Sequence, residues 1–291
     1  MDVLQLVVSG LANGCVYGLI ALGFVLIYKA TEAVNFAQGD FMMLGAFLCL
    51  GFTNEAFLGL PFWLSVPLAI LAMGVFGYAL DALVIRKMFG QPQVAVVILT
   101  IALGFVLRFL AGVIWGHQPV SLESPIAGQD VRFGGLVLGM DEVTIIVVTV
   151  LLTGGLYFYF NSTRLGVAMQ ASSQNQLAAY YMGIPVKRLN SLIWALAGMV
   201  AAVAGILYAS KGSIEPSMGL LGIKAFAAAV IGGFGSLPGA LLGGLIVGLI
   251  EPFAGRYMPS GYSQIMPYLL LFLILIVRPH GILAQYHSKK V

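Results

Sequence analysis

The stretch TRLGVAMQASSQNQLAAYYMGIPVKR, residues 163–188, is the least hydrophobic part of this 291-residue chain and lies between apolar runs of membrane length. The whole chain is 60% hydrophobic and 9% charged, with a mean hydropathy of +1.00. Soluble domains are roughly 45–50% apolar and about 25% charged. The composition therefore indicates a polytopic membrane protein that keeps one structured polar segment in water.

Within this polar segment, Ser173 and Gln176 have the spacing of a capping box, and Gly183 is typical of a helix end. We therefore predict one short helix. A helix of about ten residues is marginal in water without tertiary contacts. We expect its apolar stripe to pack against this chain's own bundle or against a partner, and we favour a partner. The stripe consists of Leu177, Tyr180 and Tyr181.

The apolar runs predict an all-α polytopic fold with about eight transmembrane helices, including broken or half-helix segments, because a spanning helix needs about 20 mostly apolar residues. We expect the first run to remain as a helix, since it lacks the basic start of a signal peptide. The domain is predicted to cover residues 1–291, with its polar loop at 161–188. The runs are 4–27, 36–52, 62–85, 93–115, 142–160, 189–210, 220–250 and 263–277.

Basic residues give an orientation, because lysine and arginine accumulate in cytoplasmic loops. They fall on one side if the amino terminus is outside and the carboxyl terminus is cytoplasmic. Segment 220–250 must then cross twice or re-enter. The basic residues are Lys29, Arg86, Lys87, Arg164, Lys187, Arg188, Arg278, Lys289 and Lys290.

Segment 220–250 contains a dense group of turn-forming residues that predicts a helix stop, a tight turn and a new start. We expect two half-helices of about 14 residues each, too short for the ~30 Å hydrocarbon core. Such interrupted segments often mark a transport pathway. The alternative is that the glycines allow close helix packing, which we favour for Gly243 and Gly244 only. The break comprises Gly232, Gly233, Gly235, Ser236, Pro238 and Gly239.

A second interruption brings Asn35, Gln38 and Asp40 into an apolar run, and such polar groups must face protein or water. Asp40 is either a charge at a helix amino terminus or a pathway residue, and Lys224 has the same ambiguity. We expect Arg108 to pair with an acidic group. We assign interfacial or capping roles to the acidic residues Asp81 and Glu251.

No motif for catalysis is recognised: the sequence has no phosphate-binding loop, nucleophile elbow or His-Glu-x-x-His. We therefore predict no enzyme activity, no metal site and no cofactor in this chain. The dense buried carboxylates of a proton-driven pump are absent from the sequence as well. A transporter of this composition would have to take its energy from another protein.

Several blocks resemble the permeases of the branched-chain amino acid ABC import family, of the type called the H subunit. They are NGCVYGLIALG at 13–23, NFAQGD at 35–40, LGA at 44–46, RLGVAMQA at 164–171, AA at 178–179, MGI at 182–184, and KAF at 224–226 through GA at 239–240. The resemblance implies a second, homologous permease subunit, two cytoplasmic ABC ATPases that use the ATP, and a periplasmic substrate-binding protein. It also implies a bacterial inner-membrane location among membrane lipid, with no nucleic-acid partner.

The sequence departs from the family pattern at Gln38 and Asp40, where His and Glu are more usual, and at Gln170, where Arg is frequent. The cargo therefore stays open between branched-chain or other hydrophobic amino acids, urea or short amides, and aromatic or dicarboxylic acids. Two rival functions are an ion-coupled carrier and a passive solute channel. Neither rival needs a polar docking helix.

We predict two groups of functional residues. Translocation-pathway residues are Asn13, Tyr17, Asn35, Phe36, Gln38, Asp40, Lys224, Gly232, Gly233, Gly235, Ser236, Pro238 and Gly239. ATPase-coupling residues are Arg164, Gly166, Met169, Ala171, Leu177, Ala178, Ala179, Tyr181, Gly183 and Ile184.

Overall fold

The computed structural model describes residues 2–88, 91–126, 128–133 and 136–283. Lys289 and Lys290, which contributed to the orientation argument, lie outside these residues. The helices are α1 (Asp2–Thr31), α2 (Gln38–Thr53), α3 (Phe62–Leu83), α4 (Gln93–Trp115), α5 (Met140–Ser162), α6 (Arg164–Gln174), α7 (Gln176–Tyr181), α8 (Val186–Lys211), α9 (Leu221–Gly232), α10 (Leu237–Tyr257) and α11 (Tyr262–Val277). Short 3₁₀ helices occupy Ile85–Met88 and Pro216–Leu220.

Within the described ranges, six helices are long and apolar enough to cross a membrane: α1, α3 with the following 3₁₀ turn, α4, α5, α8 and α10. The all-α polytopic fold is thus confirmed. The predicted count of about eight is not, because α2, α9 and α11 have only 16, 12 and 16 residues. Two short antiparallel strand pairs, β1 (Val120–Ser121) with β4 (Ser213–Ile214) and β2 (Asp130–Phe133) with β3 (Leu136–Gly139), were not predicted.

The centre of the bundle is α1, which packs along α10 through glycines. A Cβ atom at Gly14 would lie 2.8 Å from the Cα atom of Leu245. A Cβ atom at Gly244 or Gly248 would clash with the backbone of α1. Small residues allow such close approach between membrane helices. The packing interpretation of Gly244 is therefore confirmed, and Gly243 approaches the carbonyl of Ala228 in α9 in the same way.

The predicted break is present, since α9 ends at Gly232 and Gly233 has a φ of 106°. The side chain of Ser236 caps α10 by accepting a hydrogen bond from the Gly239 N–H, at 3.1 Å. The first predicted half-helix is present as α9, with 12 residues, but the prediction of a second one of about 14 residues is wrong, because α10 has 21 residues. Its apolar run continues past Glu251 and Pro252, which lie inside the helix. The two helices are antiparallel, so 220–250 does reverse direction.

The polar segment forms two helices, α6 and α7, instead of one. Thr163 caps α6 and Asn175 caps α7, accepting hydrogen bonds from the N–H groups of Gly166 and Ala178 at 3.0 and 2.9 Å. The predicted capping box is wrong, because the Ser173 hydroxyl donates to the Gln170 carbonyl instead. Extended backbone at Asn175, with a φ of −156°, separates the helices. The predicted stop is confirmed, since Gly183 has a φ of 81°.

The described basic residues of the orientation argument gather at one end of the bundle, here called the basic end. The Arg86 side chain reaches the Lys187 carbonyl at 3.2 Å, linking α3 to the start of α8. The residues after α11 return to α9, where the Ile282 N–H donates to the Ile231 carbonyl at 2.9 Å. The β1–β4 pair and the end of α8 lie at the other end, here called the opposite end.

Candidate functional site

A cavity of about 320 Å³ lies between α1, α5, α8, α9 and α10, toward the opposite end. Three of the predicted pathway residues line it: Asn13, Tyr17 and Lys224. Its remaining lining consists of Val16, Ile145, Tyr208, Lys211, Gly212, Leu221 and Glu251. The cavity thus has charged groups of both signs beside aliphatic side chains, as small-molecule sites commonly do.

Glu251 is the central side chain of this cavity. One of its carboxylate oxygens forms an ion pair with the Lys224 ammonium group, and the other accepts a hydrogen bond from the Tyr17 hydroxyl at 2.6 Å. These residues come from α10, α9 and α1, so the cluster ties three helices together. The interfacial or capping role assigned to Glu251 is wrong. The sequence alone could not identify this ion pair, because positions 224 and 251 meet only through the antiparallel packing of α9 against α10.

A second ion pair joins Lys211, a lining residue at the end of α8, to Glu142 at the start of α5, at 2.8 Å. Lys211 also contacts the hydroxyl of Ser9 at 3.0 Å and the side-chain oxygen of Asn13 at 3.4 Å. Sequence reasoning missed both Lys211 and Glu142, because each stands at a helix terminus where a charge is unremarkable. Together they place a second charge pair beside the cavity.

Asn35 and Gln38 do not line this cavity but are buried in the packed core, at 1% and 0% exposure. The Asn35 amide donates to the Gln38 side-chain oxygen at 3.3 Å, and the Gln38 amide donates to the Ala197 carbonyl at 3.2 Å. The Phe36 N–H donates to the Thr100 hydroxyl at 3.1 Å. The last bond satisfies backbone between α1 and α2, and the first two satisfy buried amide side chains, so the second interruption has a structural role.

Asp40, buried in the first turn of α2, forms a bidentate pair with Arg108 of α4, at 2.6 and 3.2 Å. The predicted pairing of Arg108 is thereby confirmed. Neither residue lines the cavity that contains Glu251. The pair therefore connects two helices at membrane depth, and the geometry does not place Asp40 on the cavity.

The glycine break lies at the basic end, away from the large cavity. Gly235, Ser236 and Pro238 line a smaller cavity of about 100 Å³ together with Lys29 and Gln170. Gly232 and Gly239 approach each other through their backbones, and Gly233 is buried. The predicted pathway residues are therefore divided between two cavities and the core.

Along both α1 and α9, aromatic residues stand between the positions that line the large cavity and the positions at the smaller cavity or the glycine break. The Phe226 ring contacts Phe24, Phe36 and Phe234, with centroid distances of 5.7, 5.2 and 5.6 Å. Phe24 stands between Tyr17 and Lys29 on α1, and Phe226 stands between Lys224 and the break. None of these four rings lines either cavity.

The coupling residues fall into two groups. Arg164, Ala171, Leu177, Ala178, Tyr181 and Gly183 are exposed, and Ile184 is half-buried. Gly166, Met169 and Ala179 are buried, so they hold α6 and α7 on the bundle and offer no docking surface. On α7 and just after it, Leu177, Tyr180, Tyr181 and Met182 are 68%, 68%, 78% and 83% exposed. This apolar group, here called the α7 surface, has little cover from its own chain.

The described residues contain no group of three or more His, Cys, Asp or Glu side chains placed to hold a metal ion. Cys15 and Cys49 are buried free thiols in α1 and α2. The arrangement supports binding and conduction of a small solute. The chain is a multi-pass membrane protein with a cavity lined by both positive and negative side chains and with an exposed apolar surface at its basic end.

Comparison with known proteins gives the family. The family described as branched-chain amino acid transport system / permease component matches residues 6–275. The high-affinity branched-chain amino acid transport system permease protein BraD of Pseudomonas aeruginosa is 33% identical over 99% of this chain and 98% of its own. The permease protein LivH of Escherichia coli is 31% identical over 99% and 97%, and the probable LivH of Methanocaldococcus jannaschii is 30% identical over 91% and 87%.

The chain belongs to this family of permease components, and the resemblance found in the sequence is confirmed. It is therefore a transmembrane permease component of a transport system, located in the inner membrane.

Proposed function

We propose that this chain is the permease subunit of an ATP-driven importer for branched-chain or other hydrophobic amino acids. The observation that carries the proposal is the separation of two features at the ends of one bundle. A cavity with charges of both signs lies toward the opposite end. An exposed apolar α7 surface lies at the basic end.

The α7 surface supports docking of a cytoplasmic ABC ATPase, one of the two that the complete transporter would contain. Tyr181 and Met182 expose large apolar areas to solvent. Covering such areas with a partner is favourable, and exposed apolar patches often mark protein interaction sites. The ATPases would hydrolyse the ATP, so this chain itself would perform no catalysis and carry no cofactor. Docking there also places the basic end in the cytoplasm, as the distribution of Lys and Arg favours. The amino terminus is then outside and a periplasmic binding protein delivers substrate at the opposite end.

A second, homologous permease subunit is expected to pack against α5. In the most hydrophobic stretch of α5, only 17% of the residues are buried within this chain, whereas 89% are buried in the corresponding stretch of α1. Ile145 of α5 also lines the large cavity. A partner on this helix would complete the cavity wall. Lipid alone would leave the charged side chains of the cavity beside hydrocarbon.

The experiment that tests the coupling proposal replaces Leu177 and Tyr181, both exposed, by Asp. We expect the variant to insert normally but to lose most co-purification with the ATPases and most ATP-dependent uptake, because charges would stand in an apolar interface. Substituting Ala179 or Gly183 is less informative, since Ala179 is 5% exposed and Gly183 needs its positive φ.

The matched control is Tyr262→Asp, which changes an exposed tyrosine, at 52%, in the first turn of α11. This control should keep both ATPase binding and uptake. Normal assembly of the Leu177 and Tyr181 variant with the ATPases would rule out the α7 surface as the docking site.

A further inference from the structure

We propose that a zwitterionic substrate binds in the large cavity by exchanging partners with the Lys224–Glu251 ion pair, its carboxylate facing Lys224 and its ammonium group facing Glu251. The inference rests on the proposed function, because it takes this cavity to be on the transport route. It makes the permease itself selective for solutes that carry both charges, in addition to any selection by a binding protein.

The placement of the pair supports this exchange. The side chains of Lys224 and Glu251 are 18% and 17% exposed, and both line the cavity. They are therefore partly desolvated but still accessible to a solute. The aliphatic side chains of Val16, Ile145 and Leu221 line the same cavity. An amino acid with an apolar side chain would thus find two charged partners and an apolar wall.

The charges determine which solutes can enter. Separating a partly buried ion pair leaves two charges without partners, and this is unfavourable unless both are replaced. A zwitterion replaces both at once. A neutral amide or urea replaces neither, and a singly charged anion or cation replaces only one. A site built in this way can reject analogues that lack one group by a large factor.

The pair also connects substrate binding to helix movement. Lys224 lies in the first turn of α9, where the helix dipole disfavours a cation, so its position depends on Glu251. Two residues further along α9, Phe226 contacts the Phe24 and Phe234 rings. When a substrate takes over Lys224, the ion pair between α9 and α10 is broken, while the backbone contacts of Gly243 and Gly232 near the other end of α9 remain. A displacement of α9 would then move Phe226 and open the route toward the basic end.

The first experiment uses the assembled wild-type transporter in lipid nanodiscs, without binding protein. Thermal stabilisation is measured with leucine, with leucinamide, which carries only the cation, and with the keto acid of leucine, which carries only the anion. We expect stabilisation by leucine alone. Equal stabilisation by either singly charged analogue would overturn the inference, as would the failure of every neutral zwitterionic amino acid to stabilise the complex. Stabilisation by another zwitterion but not by leucine would support the site and contradict the branched-chain cargo.

The second experiment compares Glu251→Gln and Lys224→Met with wild type. We expect each variant to need about tenfold or more leucine for the same stabilisation, since removal of one charge leaves the other without its partner. Lys224→Arg should keep part of the response. The control is Lys87→Met, which removes an exposed lysine at the basic end and should respond as wild type does. Full leucine responses and normal uptake in both test variants would overturn the inference while leaving the proposed function intact.

Discussion

At the scale of single residues, two ion pairs between helices, Asp40 with Arg108 and Lys224 with Glu251, differ in their surroundings. Asp40 is 1% exposed, and its partner Arg108 also lies over the Phe105 ring, 5.4 Å from the centroid. This pair has no place in the large cavity, so it holds α4 against α2. The pair formed by Lys224 and Glu251, in contrast, lines that cavity. Access to a solute, more than burial itself, distinguishes the two.

Arg108→Met is expected to destabilise the folded bundle by about 3–5 kcal/mol, because it leaves the Asp40 carboxylate buried without its partner. Adding Asp40→Asn should recover a large part of this loss, since the remaining side chain is neutral. Measuring the free energy of unfolding in detergent for the two single variants and the double variant gives the interaction energy between the Asp40 and Arg108 side chains. Simple additivity of the two effects would contradict a direct structural pair.

The sequence could predict that Arg108 needs an acidic partner, because an isolated charge in the membrane is unfavourable. It could not predict the role of Glu251. The pairing of Glu251 with Lys224 depends on the register between two antiparallel helices, and that register follows from glycine contacts such as Gly243 with Ala228. Tyr17, which was predicted as a pathway residue, lines the large cavity, whereas Asn35 and Gln38 bond to each other in the core.

At the scale of helices, glycines set which elements can approach closely. The break between α9 and α10 could be predicted from the turn-forming residues at 232–239. The length of α10 could not be predicted in the same way. Glu251 and Pro252 are typical of a helix end, but α10 continues past both residues to Tyr257. Asn175 likewise divides the polar segment into α6 and α7, although a capping box at Ser173 was the more regular pattern.

Gly248→Ala is expected to destabilise the protein, because the added methyl group would clash with the backbone of Gly14 in α1. The matched substitution is Gly154→Ala in α5, where a Cβ atom would meet nothing within 4 Å. That variant should be neutral or gain up to ~1 kcal/mol from better helix propensity. Thermal unfolding of both proteins in the same detergent measures the difference. Equal losses at the two positions would contradict the close packing of α1 and α10.

The whole molecule has different features at its two ends, with the α7 surface at one and the large cavity toward the other. The sequence placed Arg86 and Lys187 at the same end from loop charges alone, and the contact between them bears this out. It predicted the short α9 as the first half of segment 220–250, but it counted α2 and α11, with 16 residues each, among the spanning helices. The large cavity lies toward one end and the α7 surface at the other, and our proposal is that a partner bound to the α7 surface moves the bundle.

The most direct measurement compares leucine uptake into liposomes by this chain alone and by the complete transporter, with its second permease, ATPases and binding protein. Both preparations are assayed with ATP, without ATP, and under proton and sodium gradients. We expect uptake only by the complete transporter and only with ATP. Uptake of leucine by the isolated chain, whether driven by an ion gradient or passive, would contradict the account.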